Sequence, residues 1–130
     1  FIGHANGLKD DLTAIENLRF ALALAGTDVG TAALRDGLVR QGLGGVADLS
    51  VRLLSQGQKR RVALCRLLFS ADKPLWVLDE PFAALDASSV ERTAAVIVEH
   101  VRRGGMVVFT THQDAGLADI RMHSLELGAG

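Results

Sequence analysis

Residues 54–86 read LSQGQKRRVALCRLLFSADKPLWVLDEPFAALD, and this segment organises the rest of the 130-residue chain. It contains a turn with a helix start, a helix predicted over residues 59–70, a buried strand predicted over residues 75–78 and an acidic strand end. Pro81 and a second turn, which ends at Asp86, follow the strand. Each part is common on its own, but their order and spacing together indicate a built site.

The helix start carries the first chemical signal. Ser55 and Gln58 match the S-x-x-Q capping box, which supplies partners for the free N–H groups of a first helical turn. A helix N-terminus is partly positive and suits a phosphate, and Gly57 would let another group approach the backbone closely. Residues 59–61 (Lys-Arg-Arg) crowd this turn, where each cation opposes the helix dipole by about 0.3–1 kcal/mol. An anionic ligand would relieve that conflict; a solvated basic face is the alternative interpretation.

The acidic strand end carries the second signal. Residues 75–78 are a continuous apolar run, as expected for a parallel strand that is covered on both faces. The run ends in Asp79 and Glu80, and ligands of open α/β sheets bind at the carboxyl ends of strands. One carboxylate could hold Mg²⁺, and its neighbour could align and deprotonate a water molecule. A solvated acid pair that only caps the loop is the alternative.

The segment after Asp86 predicts where a histidine lies. Residues 87–103 have the apolar stripe of an amphipathic helix, and residues 106–109 read as a second buried strand. A strand–helix–strand unit makes a right-handed crossover, so the two strands run parallel and end at the same edge. The sequence therefore predicts Thr111 and His112 beside the acidic strand end, where an imidazole can hydrogen-bond a phosphate or hold a water.

The remaining segments predict further helices and strands. Residues 12–24 read as a helix with a capping box, and a second helix is predicted over residues 31–41. Both could simply form a hairpin that covers the sheet. Residues 1–8 are predicted to enter from a strand and to turn at Asn6 and Gly7. A short helix over residues 113–118 and a last strand over residues 121–127 complete the prediction.

Composition excludes several classes of protein. The chain is 48% hydrophobic and 22% charged, which suits one domain with a substantial core. Its net charge of −1 gives no basic field for a nucleic acid, and we expect no nucleic-acid partner. Cys65 is the single cysteine and lies among apolar helical residues, so we expect a buried, reduced thiol. No apolar run approaches the length of about 18 residues that a membrane span needs.

Four motifs, in this order, resemble those of ATP-binding cassette (ABC) ATPases. Residues 54–58 resemble the signature motif, residues 75–81 the Walker B strand with its catalytic Glu, residues 84–86 the D-loop and residues 111–112 the switch-histidine loop. The resemblance implies an α/β fold, the C-terminal part of a P-loop NTPase domain with a parallel sheet core. An α-helical signature subdomain would span about residues 12–70, and half of a RecA-like core about residues 71–130.

The phosphate loop of that family is absent from the sequence. No G-x-x-x-x-G-K-[ST] pattern occurs, and the chain begins at Phe1. A cassette ATPase carries this Walker A loop upstream of the matching position. We therefore expect the chain to be part of a longer protein, and the isolated chain to bind ATP poorly or not at all.

Within the family, the chain is most similar to the ATP-binding subunits of the heme exporters used in bacterial cytochrome c maturation. The residues that carry this likeness lie in the ranges 2–9, 12–18, 75–86 and 110–113. The likeness implies an ATPase at the cytoplasmic face of the bacterial inner membrane, with integral membrane transporter subunits as partners and no membrane span of its own. Alternatives are another ABC exporter, a soluble ABC protein of DNA repair or translation, and a degenerate cassette that does not hydrolyse ATP.

The resemblance also implies a role for each site residue. Two cassettes would form a head-to-tail dimer that sandwiches ATP between the phosphate loop of one subunit and the signature motif of the other. Nucleotide binding would fall to Ser55, Gln56, Gly57, Gln58 and Asp86, the last of which would cross the dimer interface.

The hydrolytic residues implied by the resemblance come from the other motifs. Asp79 would position Mg²⁺, Glu80 would polarise the attacking water and His112 would sense the γ-phosphate. His4 stands where a cassette usually has a Gln that touches Mg²⁺ and the water. A histidine can still donate or accept a hydrogen bond there, so the strength of its coupling to the metal is left open.

Overall fold

The computed structural model describes residues 1–128. Helices and strands alternate after an initial helical region. The elements are α1 (Ala14–Leu24), α2 (Thr31–Arg40), α3 (Gln56–Cys65), β1 (Leu75–Asp79), α4 (Ala87–Arg102) and β2 (Met106–Thr110). Short 3₁₀ segments lie at Gly44–Val46, Val51–Leu53 and Arg66–Phe69.

The two apolar runs pair as predicted, but the expected burial is only partly correct. β1 buries Trp76 and Leu78 on one face, whereas no residue of β2 is fully buried and its Met106 and Val108 are exposed. β1 and β2 pair in parallel, from Leu75 opposite Met106 to Asp79 opposite Thr110. The chain start joins the other edge of β1 through one parallel bridge between Ile2 and Leu78. Within that bridge, Ile2 N–H donates to the Val77 carbonyl at 2.9 Å, and Asp79 N–H donates to the Ile2 carbonyl at 2.8 Å. The predicted strand entry at residues 1–8 is therefore a single paired residue.

Side-chain caps set the starts of α1 and α3. Thr13 caps α1 in a reciprocal capping box with Glu16, and Ser55 caps α3 in the same way with Gln58. Each cap residue lies just outside its helix, so α1 begins at Ala14 rather than at the predicted residue 12. The predicted helix over residues 59–70 begins earlier, at Gln56, for the same reason.

The end of α3 also differs from the prediction. Its α-helical part stops at Cys65 and tightens into the 3₁₀ segment Arg66–Phe69. Such a segment supplies i→i+3 hydrogen bonds to the last carbonyls of a helix. The Ser70 hydroxyl closes the segment by donating to the Arg66 carbonyl at 2.8 Å.

The buried side chains form two hydrophobic clusters, and α3 contributes to both. Val62 and Cys65 pack with the buried residues of α1 and α2, whereas Leu64 packs with those of β1 and α4. The expected burial of the cysteine is confirmed, and burial raises the pKa of the Cys65 thiol to about 12. α3 is therefore the element that joins the helical region to the sheet.

The predictions for the chain end are wrong. Residues 113–118 form no helix: Gly116 has a φ of +65°, and its N–H bonds the Asp114 carboxylate at 2.9 Å. This local turn competes with helical hydrogen bonding. Residues 121–127 are exposed and form no strand, because they pair with no other segment within residues 1–128.

The helices are short compared with a bilayer. The longest helix of the described residues is α4, with 16 residues, whereas a bilayer span takes about 20 apolar residues. None of the helices within residues 1–128 has the length and apolar character needed to cross a membrane.

His100 is a buried polar residue of α4 that packs against β1. Its ring stacks on Trp76 with centroids 3.7 Å apart and planes 8° apart, and 4% of the residue is exposed. Burial lowers the pKa of His100, the carbonyl of Pro74 opposes that shift in part, and the charge of Arg103 adds to it. The folded protein therefore favours the neutral imidazole.

We expect the protein to lose stability when His100 is protonated. Because the pKa is lower in the folded state than the ordinary value of 6.5, this contribution is complete above pH 6.5 and falls as the pH decreases below it. Urea titrations at pH 5.5 and pH 8 measure the change in the free energy of unfolding. His100→Phe keeps a ring against Trp76 but cannot titrate, so its stability should depend less on pH. An equal pH dependence in both proteins would contradict this assignment.

Candidate functional site

The end of β1 is held by a hydroxyl from β2. Thr110 Oγ1 donates to Asp79 Oδ1 at 2.7 Å and accepts the Glu80 N–H at 2.9 Å. These bonds follow from the register, which places Thr110 directly opposite Asp79. Sequence reasoning missed Thr110 as a site residue because the predicted strand stopped at residue 109. The hydroxyl-bearing residue at the end of the second apolar run was the signal in the sequence that could have identified Thr110.

The predicted proximity of the acids and the histidine is confirmed. Nε2 of His112 lies 3.0 Å from Oε1 of Glu80. The imidazole side chain is 94% exposed, whereas that of Glu80 is 18% exposed. An exposed partner contributes little to such a pair, about 0–1 kcal/mol. His112 can therefore leave Glu80 and contact another group at low cost.

The backbone of Glu80 is strained. Its φ of +50° lies in the left-handed region, which costs a residue with a side chain about 1–3 kcal/mol. Neighbouring elements hold each of its backbone polar groups. The N–H bonds Thr110 of β2, and the carbonyl accepts a hydrogen bond from Arg60 of α3. The position of the Glu80 side chain is thus fixed from two directions.

The basic residues of the α3 start bind groups of their own chain. Lys59 Nζ lies 3.8 Å from the Asp10 carboxylate, and Arg60 is buried. Arg61 donates to the carbonyls of Gln41 at 3.1 Å and Gly57 at 3.4 Å. The alternative interpretation of these residues as a solvated basic face is therefore wrong. Because these own-chain contacts account for the three cations, their crowding no longer argues for an anionic ligand.

Gly57 makes the close backbone approach that its missing side chain predicts, but its partner is the same chain. A Cβ at Gly57 would lie 2.8 Å from the Ala84 carbonyl oxygen. Ala84 itself has a φ of +62°. The start of α3 and the loop that follows β1 are therefore in direct backbone contact.

Asp86 acts as a helix cap in this structure. Its carboxylate accepts the Ser89 N–H at 3.0 Å and begins α4. Hydrogen bonds from the Ser89 side chain and backbone lower the pKa of Asp86, so the cap is ionised at neutral pH. The side chain is exposed, and its predicted role at a nucleotide stays a prediction.

His4 and Asp79 open onto one cleft of about 700 Å³. Within residues 1–128, no group of three or more His, Cys, Asp or Glu side chains could hold a metal ion. The carboxylate of Asp79, next to the Thr110 hydroxyl, still fits Mg²⁺, which keeps several waters and binds one or two carboxylates plus phosphate oxygens. The imidazole of His4 fits less well as a direct ligand, because imidazole suits later transition metals.

Six of the predicted site residues lie in two groups. Asp79, Glu80 and His112 meet at the sheet edge. Ser55 and Gln58 hydrogen-bond each other at the start of α3, beside the Gly57–Ala84 contact. A separate cavity of about 400 Å³, lined in part by Trp76 and His100, contains none of the predicted site residues. The sheet edge and the α3 start are thus the two candidate binding surfaces.

Known proteins similar to this chain share one family. A family model described as ABC transporter matches residues 1–83. The chain is 54% identical, over 91% of its length and 55% of the relative's, to the cytochrome c biogenesis ATP-binding export protein CcmA of Aromatoleum aromaticum. It is 48% identical to the protein of the same name from Nitrosomonas europaea, over 98% of its length and 59% of that relative's. The chain thus spans little more than half the length of these relatives.

One solved structure shows the same architecture. It is a dimeric, post-hydrolysis state of the ATP-binding cassette MJ0796 bound to ADP and Pi. This chain superposes on it with a TM-score of 0.74 and 28% sequence identity. The match covers 91% of this chain and 53% of the cassette.

We expect Gly57→Ala to destabilise the protein by about 1–3 kcal/mol, because the new Cβ would press on a backbone oxygen that cannot rotate away. Gly45→Ala is the matched control, since no atom lies within 4 Å of a Cβ at that position. Its effect should stay within about 0.5 kcal/mol. Urea unfolding of both variants measures the difference, and equal stabilities would show that the Gly57–Ala84 approach is not tight.

Proposed function

Because this chain belongs to the ABC transporter family, we propose that it forms part of the ATP-hydrolysing subunit of an export complex for cytochrome c biogenesis. Heme is the substrate that we propose for that complex. The names of the relatives support this proposal, since they describe ATP-binding export proteins of cytochrome c biogenesis. They also favour export over DNA repair or translation.

The arrangement of side chains at the sheet edge is the main observation in support of ATP hydrolysis. Asp79, Glu80 and His112 lie at the ends of two parallel strands, with Glu80 3.0 Å from His112. A pair of carboxylates with separate partners can divide two tasks. Asp79, bonded to Thr110, is held in place to contact a hydrated cation, and Glu80 is left to accept a proton from water.

ATP and Mg²⁺ complete the proposed site. Bound Mg²⁺ would neutralise charge on the phosphates of ATP. Asp79 would hold the ion through its carboxylate, and His4, which lines the same cleft, would hydrogen-bond a water of that ion. His112, exposed and only weakly paired, would turn from Glu80 to the γ-phosphate. The phosphate loop that binds the rest of ATP would come from a part of the protein outside this sequence.

The start of α3 supports a second cassette as a partner. Ser55 and Gln56 are exposed at a helix N-terminus, where a phosphate is favoured, and they make no hydrogen bond to the acids of the sheet edge. We propose that they bind the ATP held by a second copy, and that Asp86 crosses the same interface. The dimeric cassette bound to ADP and Pi is the structural precedent for this arrangement.

We propose that the complex is completed by integral membrane subunits at the cytoplasmic face of the bacterial inner membrane. In this proposal the membrane subunits supply the spans of the complex. Exposed Phe20 and Leu24 line the cleft that also contains His4. A partner that contacts Phe20 and Leu24 in this cleft would lie beside the hydrolytic edge and could respond to the nucleotide.

The first test replaces the proposed base in the full-length protein. Glu80→Gln should slow ATP turnover by about 10²-fold or more, because the amide cannot accept the proton from water. ATP binding should persist, since the amide keeps the size of the side chain. Single-turnover hydrolysis and equilibrium binding of labelled ATP measure the two effects. Turnover within a few-fold of wild type would remove Glu80 from this role.

A second test addresses the proposed dimer. Ser55→Arg should abolish ATP-dependent dimerisation of the full-length protein, because the bulky cation fills the surface meant for the partner's nucleotide. The substitution also removes the cap of α3, which costs about 0.5–2 kcal/mol. Ser55→Ala removes the same cap without the bulk and serves as the control. Undiminished ATP-dependent dimerisation of Ser55→Arg, measured by sedimentation, would argue against the composite site.

A further inference from the structure

Arg60 is a buried cation of α3 that hydrogen-bonds two other parts of the chain. The residue is 3% exposed, although it lies in the first turns of α3. Nη1 donates to the Gly3 carbonyl at 2.8 Å and to Asn6 Oδ1 at 3.1 Å. Nη2 donates to the carbonyls of Asp79 at 2.7 Å and Glu80 at 2.9 Å. One guanidinium thus connects α3, the turn before α1 and the end of β1.

The two carbonyls on Nη2 explain how Glu80 keeps its strained backbone. The carbonyls of Asp79 and Glu80 lie on either side of the Glu80 α-carbon, and both point at the same nitrogen. Two carbonyl dipoles that converge in this way repel each other unless a donor lies between them. The donor at this point therefore stabilises the backbone of Glu80 at its φ of +50°.

Supplying that donor with a buried guanidinium costs free energy. Burying a charge is unfavourable unless it is paired or well hydrogen-bonded. Burial does lower the pKa of Arg60, and the charges of Asp79 and Glu80 oppose that shift. Arg60 Nε has no hydrogen-bond partner among residues 1–128. A residue needed only to fill space would be better apolar, so the placement favours a directed role.

We propose that Arg60 is a positioning residue for hydrolysis, which clamps the two carbonyls around Glu80 so that its carboxylate is aimed at the attacking water. This inference rests on the proposed function, because Glu80 must be the base. The planar fork of arginine suits the task, since one nitrogen serves the end of β1 while the other holds the Gly3–Asn6 turn beside His4. Arg60 itself would touch neither ATP nor water.

The test is a double-mutant cycle in the full-length protein. Arg60→Met should lower single-turnover ATP hydrolysis by about tenfold or more, while the Kd for ATP stays within about threefold. In the Glu80→Gln background, adding Arg60→Met should change the remaining rate by less than about threefold, because no carboxylate is left to aim. Equal losses in both backgrounds would overturn the proposal and leave Arg60 a structural residue.

Two further variants keep the test decisive. Arg35→Met removes another arginine, on α2, whose exposed guanidinium pairs with the Asp48 carboxylate; its turnover should stay close to wild type. Arg60→Lys keeps the buried cation, so it should fold even if Arg60→Met does not. Its single ammonium cannot serve both sets of acceptors, so turnover should still fall by about fivefold or more. Turnover of Arg60→Lys equal to wild type would overturn the need for the fork.

A structural measurement separates this inference from the proposed function. Amide hydrogen exchange at Glu80 reports whether its backbone stays bonded to Thr110. Arg60→Met should raise that exchange rate by about tenfold or more relative to wild type, with Arg35→Met unchanged. Absence of ATP hydrolysis by the wild-type protein would defeat the proposed function and, with it, the role of Arg60 in hydrolysis. Unchanged exchange at Glu80 in Arg60→Met would defeat the clamp alone.

Discussion

The parallel pairing of β1 with β2 is the constraint on which the candidate site depends. It sets Asp79 opposite Thr110, so both strands end at one edge and the chain emerging from β2 carries His112 to Glu80. A shift of one residue in the register would turn the side chains of β2 to the other face. Thr110 could then no longer bond both the Asp79 carboxylate and the Glu80 N–H. The chemistry of the edge is thus a consequence of backbone hydrogen bonds made further along the strands.

α3 connects the end of β1 to the helical region. Its side chains enter both hydrophobic clusters, and its Arg60 reaches the carbonyls at the end of β1. The hydrophobic effect by itself sets no angle between the helix and the strand end, because it is not directional. Hydrogen bonds from a planar fork fix both angle and register. The combination explains how a helix start and a strand end can keep one geometry across two cores.

The sequence predicted the local features that depend on neighbouring residues. The capping boxes at Thr13 and Ser55 and the two apolar strands follow from short patterns, and the parallel edge follows from the handedness of crossovers. The destination of Arg60 could not be predicted, because Gly3 and Asp79 lie 57 and 19 residues away. The helix predicted over residues 113–118 does not form for a related reason. Their composition allows a helix, but the Asp114 carboxylate accepts the Gly116 N–H in a local turn that competes with helical hydrogen bonding.

The contacts of α3 also bear on how two nucleotides could influence each other in the proposed dimer. Ser55 would face the ATP of the partner subunit, whereas Glu80 would act on ATP bound to its own chain. Both residues are tied to α3, Ser55 as its cap and Glu80 through Arg60. Gly57 adds a direct backbone contact with Ala84, two residues before Asp86. These contacts form a closely packed path through one chain, from one nucleotide to the other. Because packed elements shift together rather than deform, displacement of one nucleotide would be transmitted along this path. Coupling between the two sites would then need no contact beyond those that already hold α3 in place.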